Sequence, residues 1–202
     1  ASGVGCARLD RAPVIALADE ASDSMRGRVS QMIVDQQALY APLTKWTGRL
    51  QRGQVRQMVE DAVCAAFAEP QGPAYIGLPA GLGAEAEIDG PFEARQPTAP
   101  AAPAEEAMAA LEEAIRRARR PLFAFGLTAA RQRMGLWAQR AVENLAAPAV
   151  CTPMAKGLIP EWRSLFAGVL AHAGSDIVAQ TIAQADLILA IGFDPVEINY
   201  ED

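Results

Sequence analysis

Five short apolar runs alternate with helix-like segments along this chain, and that alternation is the strongest constraint on its fold. The runs cover residues 14–18, 74–78, 122–126, 149–152 and 187–192. They are continuously apolar, which is typical of parallel strands that are covered on both faces. Parallel strands that alternate with helices form the sheets of α/β proteins. The sequence therefore predicts an α/β fold.

The segments between the runs carry apolar residues at the three- and four-residue spacing of amphipathic helices. Such helices are predicted after residue 54, near residues 108–118 and near 134–145. A last helix runs through Ala185, with Ser175 or Asp176 as its cap. The predicted buried face of the first of these helices is formed by Val55, Met58, Val59, Ala62, Val63 and Phe67.

A proline-rich stretch divides the pattern into two parts. Residues 91–103 include four prolines among small and polar residues and show no apolar periodicity. Proline density of this kind gives an extended, semi-rigid connection. We expect two partial doubly wound parallel-sheet units of Rossmann-like type, residues 1–90 and 104–202, joined by this linker.

Composition and charge exclude several classes of protein. Of the 202 residues, 51% are hydrophobic and 21% are charged, which is typical of a globular chain and not of a disordered one. The net charge of −6 argues against a nucleic-acid partner, which needs a basic face. No apolar run is long enough for a membrane span, and no signal segment follows Ala1. These features favour a cytoplasmic protein with no membrane partner.

The three cysteines and the one histidine limit metal and disulfide chemistry. Cys6, Cys64 and Cys151 are odd in number and widely spaced, so neither a disulfide framework nor a metal site is predicted. Cys64 lies on the predicted apolar face of a helix and Cys151 in an apolar strand, and we interpret both as buried small hydrophobic residues. His172 is the only histidine, which excludes His-rich zinc sites.

Two stretches in the first half carry a family resemblance. The first is Asp-Gln-Gln-Ala-Leu-Tyr-Ala-Pro-Leu-Thr-Lys-Trp, residues 35–46, and the second is Gly-Pro-Ala-Tyr-Ile-Gly-Leu-Pro, residues 72–79. Together they resemble the second half of the pyrimidine-binding domain in thiamine-diphosphate enzymes of the acetolactate synthase and 2-keto-acid decarboxylase group. From residue usage alone, Lys45 and Trp46 are also explained by a strand or turn with Trp46 half-buried.

The resemblance implies a chemistry for the intact protein. Thiamine diphosphate, held with Mg2+, is ionised at C2 of its thiazolium ring, attacks a 2-keto acid and releases carbon dioxide, or transfers the acyl or aldehyde unit. The cofactor carries this chemistry and the protein orients it. The family also implies a homo-oligomer, a dimer or a tetramer, because its active sites form between subunits.

The same resemblance places two residues near the active site. The family has a Phe-Gln-Glu-like motif just before the first stretch, and it reaches the active site of a neighbouring subunit. The corresponding residues are Gln31, Met32 and Ile33. The motif glutamine is thus replaced by Met32, unless Gln31 serves with a shift of one residue. This is a departure from the acetolactate synthase pattern.

The second half carries a possible nucleotide pocket on the loops that follow its strands. Ligands of open parallel sheets gather at the carboxyl ends of the strands. The predicted pocket residues are Gly126, Thr152, Met154, His172, Gly174, Gly192 and Asp194. A tight packing turn also explains the lone Gly126, and a turn before Pro195 also explains Asp194, because no full Gly-x-Gly-x-x-Gly fingerprint is present.

These loops resemble the central domain of the same enzyme group. That domain holds FAD in acetolactate synthases and ADP in oxalyl-CoA decarboxylase, while other members bind no nucleotide there. The family's activating glutamate would precede Ala1 and its Gly-Asp-Gly…Asn magnesium motif would follow Asp202, so no catalytic residue or metal ligand is predicted within this chain. We expect a catalytically incomplete piece of such an enzyme. The alternative is a non-catalytic nucleotide-binding or interaction module built from the central domain.

Overall fold

The computed structural model describes residues 1–25, 27–28, 30, 33–86, 95, 101–170 and 176–197. The chain forms two compact units, Ala1–Ala101 and Ala102–Asp202. The predicted linker, residues 91–103, lies mostly outside the described residues. No helix in the described ranges is both long and apolar enough to cross a lipid bilayer.

The first unit contains a three-stranded parallel sheet. Its elements are α1 (Ser2–Leu9), β1 (Ile15–Glu20), α2 (Gln36–Tyr40), β2 (Trp46–Arg49), α3 (Val55–Phe67) and β3 (Ala74–Pro79). The strand order is β1-β3-β2, so β3 lies in the centre and pairs with both other strands. The predicted strands 14–18 and 74–78 are confirmed, whereas β2 was not among the five predicted strands, although a strand or turn was one interpretation of Lys45 and Trp46.

Helix α3 covers this sheet with small residues. Ala62 and Ala66 are fully buried, and they pack with Leu50, Ala74 and Ile76. The predicted face is partly wrong, because Val59, Val63 and Phe67 are 39%, 36% and 47% exposed. The predicted burial of Cys64 is also wrong: its side chain is partly exposed, and its thiol donates to the carbonyl of Arg95 at 3.7 Å. The small alanines let the helix approach the sheet closely, and the larger residues lie at the sides of the contact.

The second unit contains a four-stranded parallel sheet in the order β6-β5-β4-β7. Its elements are α4 (Glu105–Arg117), β4 (Pro121–Phe125), α5 (Leu127–Arg131), α6 (Gly135–Leu145), β5 (Ala149–Cys151), β6 (Phe166–Val169), α7 (Asp176–Gln184) and β7 (Leu187–Ile191). The three predicted strands of this half are confirmed, and β6 was not predicted. Helices on both faces of a parallel sheet define the doubly wound α/β class.

Alternate residues of β4 point into the two cores of this unit. Phe123 and Phe125 pack with Ala138, Val142 and Cys151 on one face. Leu122 and Ala124 pack with Val150 and Val178 on the other. Because both faces are covered, the strand reads as a continuous apolar run in the sequence. Cys151 is fully buried, as predicted.

Candidate functional site

The carboxyl ends of β4, β5 and β7 meet in the second unit and bring four of the predicted pocket residues together. The N–H of Gly126 donates to the carbonyl of Ile191 at 3.0 Å, and that of Thr128 donates to Gly192 at 2.9 Å. The N–H of Thr152 donates to the carbonyl of Phe125 at 2.9 Å. Parallel pairing of β4 with both neighbours places these three turns side by side.

The two glycines of this edge are packed against each other's turns. A Cβ on Gly126 would lie 2.5 Å from the Cα of Phe193 and 2.6 Å from the carbonyl oxygen of Gly192. Gly192 has a φ of +59°, and a Cβ there would lie 2.2 Å from the amide nitrogen of Ala129. Both positions therefore need glycine for close backbone packing.

Asp194 forms part of the turn after β7. Its side chain accepts the N–H of Val196 at 3.0 Å, which stabilises the 3-10 turn Pro195–Glu197. Met154 lies on the turn after β5 and is 47% exposed. His172 and Gly174 lie outside the described residues, so their predicted place in the pocket stays a prediction.

A residue that the sequence analysis missed lies at the centre of this edge. The carboxylate of Glu197 accepts the N–H of Leu127 at 2.9 Å and the N–H of Asp194 at 3.1 Å through Oε1. Its Oε2 accepts the hydroxyl of Thr152, which is itself buried. The only sequence signal for this role is that Glu197 follows Asp194 by three residues in a strand-end turn. Side-chain oxygens in such turns bond nearby backbone N–H groups.

The carboxyl edge of the first unit carries a buried charged cluster, also missed from the sequence. Glu20 ends β1 and is 7% exposed. Its Oε2 lies 2.9 Å from Nε of Arg49, at the end of β2. Nε has no directed hydrogen bond within the described residues, so this contact is an ion pair. The same guanidinium contacts Asp23 at 3.0 Å and donates to the carbonyl of Ala21 at 2.9 Å.

Neutral groups complete this cluster. Gln37 Nε2 donates to Oε1 of Glu20 at 2.6 Å. The hydroxyl of Tyr75 lies 3.0 Å from the same oxygen and 2.8 Å from Oε1 of Gln36. Burial, together with the hydrogen bond to Glu20, raises the pKa of Tyr75, which keeps its hydroxyl a donor. The ring of Tyr75 stacks on that of Tyr40 with the centroids 4.3 Å apart. We call Glu20, Arg49, Tyr75, Gln36 and Gln37 the Glu20 cluster.

The Glu20 cluster borders a cavity of about 250 Å3. Its lining includes Glu20, Gly27, Ile33, Asp35 and Gln37. Asp35 caps helix α2 by accepting the N–H of Ala38 at 3.0 Å. Gln31 and Met32, the residues placed near the active site by resemblance, lie outside the described residues.

Lys45 and Trp46 lie at the amino ends of the strands, where β2 begins. Trp46 is partly buried, as residue usage indicated, and Lys45 donates through Nζ to the carbonyl of Ala68. Burial lowers the pKa of Lys45, and Glu69 opposes that shift. These contacts give both residues structural roles.

Within the described ranges, no group of three or more His, Cys, Asp or Glu residues could hold a metal ion. All three cysteines are free.

The two parallel-sheet units define a Rossmann-like α/β protein, and comparisons with known proteins show which enzymes it is similar to. Residues 108–201 match the family model described as thiamine pyrophosphate enzyme, central domain. The chain is 25% identical over 204 residues to a catabolic acetolactate synthase of Raoultella terrigena, covering 97% of this chain and 35% of that protein. It is 28% identical over 208 residues to a probable 2-ketoarginine decarboxylase of Pseudomonas aeruginosa, covering 99% and 36%.

A solved structure agrees over nearly the whole chain. A thiamine diphosphate-dependent 4-hydroxybenzoylformate decarboxylase of Rhodococcus jostii RHA1 superimposes with a TM-score of 0.77 at 25% identity, covering 93% of this chain and 36% of that one. Over nearly its whole length the chain is thus similar to thiamine-diphosphate-dependent enzymes of the acetolactate synthase and 2-keto-acid decarboxylase group, and the predicted resemblance is confirmed. It spans about a third of the length of the curated relatives it matches.

Proposed function

We propose that this chain supplies the second half of the pyrimidine-binding domain, residues 1–90, and part of the central domain, residues 104–202, of an enzyme that acts on a 2-keto acid. The reaction is decarboxylation or acyl or aldehyde transfer. The observation that carries the proposal is the superposition of both units, in chain order, on a 2-keto-acid decarboxylase over 93% of the chain. Relatives named as acetolactate synthase and 2-ketoarginine decarboxylase support it.

Thiamine diphosphate with Mg2+ would supply the carbon–carbon bond chemistry in this enzyme. The described residues would contribute part of the protein that surrounds the cofactor. We propose that the enzyme is a cytoplasmic homo-oligomer in which the segment around Gln31 and Met32 lies near an active site. This placement is supported by the contacts that flank it: Gln36 donates to the carbonyl of Asp19 at 2.8 Å and Gln37 to Glu20 at 2.6 Å.

The Glu20 cluster would position that segment. Its buried carboxylate links the end of β1 to the end of β2 through Arg49 and to the start of α2 through Gln37. A charge held by several donors in a partly buried setting is costly to displace. Both ends of the segment 21–35 are therefore held in place. A loop needs such fixed ends if it is to hold a side chain against a substrate.

The test is turnover by the protein expressed from its complete gene. Carbon dioxide release and product formation are measured with pyruvate and with 2-ketoarginine, each with and without added thiamine diphosphate and Mg2+. We expect consumption of at least one 2-keto acid that requires both additions. Absence of thiamine diphosphate binding, together with no consumption of either acid, would refute the proposal and favour a non-catalytic module.

A further inference from the structure

The strand-end crevice of the second unit is the position where the fold would bind a nucleotide. In open parallel sheets, phosphates lie at the carboxyl ends of the strands and are held by backbone N–H groups and hydroxyls. Among the described residues, the donors at these strand ends include the N–H of Leu127, which follows β4, and the hydroxyl of Thr152, which follows β5. Both groups already donate to the Glu197 carboxylate.

Among the described residues, the space beside Gly126 is also occupied. A Cβ on Gly126 would meet the backbone of Gly192 and Phe193 and would lie 2.8 Å from Oε1 of Glu197. A phosphate oxygen placed on that side of Gly126 would overlap these atoms. The residues present therefore do not fit the FAD or ADP that the central domain holds in some family members.

We propose that Glu197 is an internal anion that occupies the phosphate position of this crevice and closes the central domain to FAD and ADP. One oxygen joins the turn after β4 to the turn after β7, through Leu127 and Asp194. The other joins both to the turn after β5, through Thr152. A carboxylate that accepts three hydrogen bonds satisfies donors that a bound phosphate satisfies elsewhere. The inference concerns this unit alone and does not depend on which 2-keto acid the enzyme uses.

The experiment uses protein expressed from its complete gene and two variants. Glu197→Ala removes the internal carboxylate. Glu161→Ala is the matched control, because Glu161 is exposed and pairs with Lys156 at 3.4 Å on the surface of the same unit. Thermal melting is followed in chloride, acetate and inorganic phosphate at equal ionic strength. Binding of ADP and FAD is measured by equilibrium dialysis.

We expect Glu197→Ala to melt several degrees below wild type in chloride, about 2–8 °C for a domain of this size. Acetate or phosphate should restore part of this loss, because an anion that binds only the folded state raises its melting temperature. Wild type and Glu161→Ala should show only the smaller general stabilisation that phosphate gives to folded proteins. Wild type should bind neither ADP nor FAD, whereas Glu197→Ala should gain measurable ADP binding.

Three results would overturn the proposal: micromolar binding of ADP or FAD by wild type, no anion rescue of Glu197→Ala beyond that of Glu161→Ala, or no gain of ADP binding by Glu197→Ala. If Glu197→Ala does not fold, Glu197→Ser replaces it, since the shorter side chain also leaves the carboxylate position open to an anion. Equilibrium dialysis of the wild-type protein tests whether ADP and FAD are excluded, and this test does not depend on either variant. Turnover assays in parallel separate a failure here from a failure of the proposed reaction.

Discussion

The carboxylate of Glu20 lies directly against Gly77 in the central strand β3. A Cβ on Gly77 would stand 2.0 Å from Oε1 of Glu20 and 2.9 Å from Nε2 of Gln37. Glu20 cannot simply rotate away, because Arg49, Gln37 and Tyr75 all contact it. The absence of a side chain at residue 77 is therefore a condition for the Glu20 cluster.

Gly77→Ala is expected to destabilise the first unit by about 1–3 kcal/mol, the usual cost of overpacking a fixed site. Gly83→Ala is the control, since a Cβ there meets nothing within 4 Å. Urea unfolding of both variants measures the difference. Equal stability of the two would mean that the Glu20 cluster moves aside without cost.

Glu20→Gln should lower the free energy of unfolding by about 2 kcal/mol, because Arg49 then loses its charged partner in a partly buried setting. The matched control is Glu85→Gln. Glu85 pairs with Arg52 at 3.4 Å, but both side chains are exposed, so its loss should be within about 0.5 kcal/mol. A comparable loss of unfolding free energy in both variants would show that burial does not strengthen the ion pair between Glu20 and Arg49.

Gly192→Ala should be far more damaging than Gly157→Ala. Both glycines have positive φ, +59° and +89°, but a Cβ on Gly157 meets nothing within 4 Å, whereas one on Gly192 would lie 2.2 Å from Ala129 N. Gly157→Ala therefore measures the backbone strain alone, about 1 kcal/mol. We expect a loss above about 3 kcal/mol for Gly192→Ala. Chemical denaturation of the two variants checks this, and similar losses would assign the whole effect to backbone strain.

Cys151 should resist alkylation in the native protein. Burial raises the pKa of its thiol to about 11, so at pH 8 only on the order of one thiol in a thousand is ionised. Cys6 is exposed and should react much faster. Peptide mapping after brief iodoacetamide treatment compares the two, with denatured protein as the control in which both react. Equal labelling of native Cys6 and Cys151 would contradict the burial.

Asp186 should make stability depend on pH in acid. Its carboxylate accepts the N–H groups of Arg119 and Arg120 at 2.9 and 2.8 Å, which lower its pKa. A lowered folded-state pKa gives stability that is present above the unfolded-state pKa of 3.8 and is lost as the pH falls through the folded value. Asp186→Asn should therefore be less stable than wild type at neutral pH and equal to it in strong acid. Melting curves from pH 7 downward test this, and a pH-independent difference would contradict it.

The sequence predicted both central and edge strands, including the edge strands β1 and β7, and the two that it missed are edge strands of only four residues, each containing glycine. In β2, the ring of Trp46 covers Gly48, whose Cβ would lie 2.2 Å from the indole. In β6, Gly168 has a φ of +135° and faces Val178. Thr47 and Arg49 interrupt the apolar pattern of β2, and β6 is only four residues long, so the pairing of both strands depends on neighbours distant in the chain.

The residues of the candidate sites also divide into those that the sequence predicted and those that it missed. The glycines and Thr152 were predicted because a strand end fixes their place. Glu197 and the Glu20 cluster were not, because a carboxylate at a strand end looks like any solvated acid until its partners are known. Glu20 meets Tyr75 across 55 residues and Glu197 meets Leu127 across 70. No local pattern encodes such contacts.

The strand order of the first unit has a consequence for synthesis of the chain. Strands β1 and β2 each pair with β3, and β3 is the last of the three to be made. As the ribosome releases residues 15–49, these two strands lack the partner that lies between them. The three-stranded ladder cannot close until residue 79 has emerged, which makes this half dependent on non-local pairing and exposes its apolar strands for longer during translation.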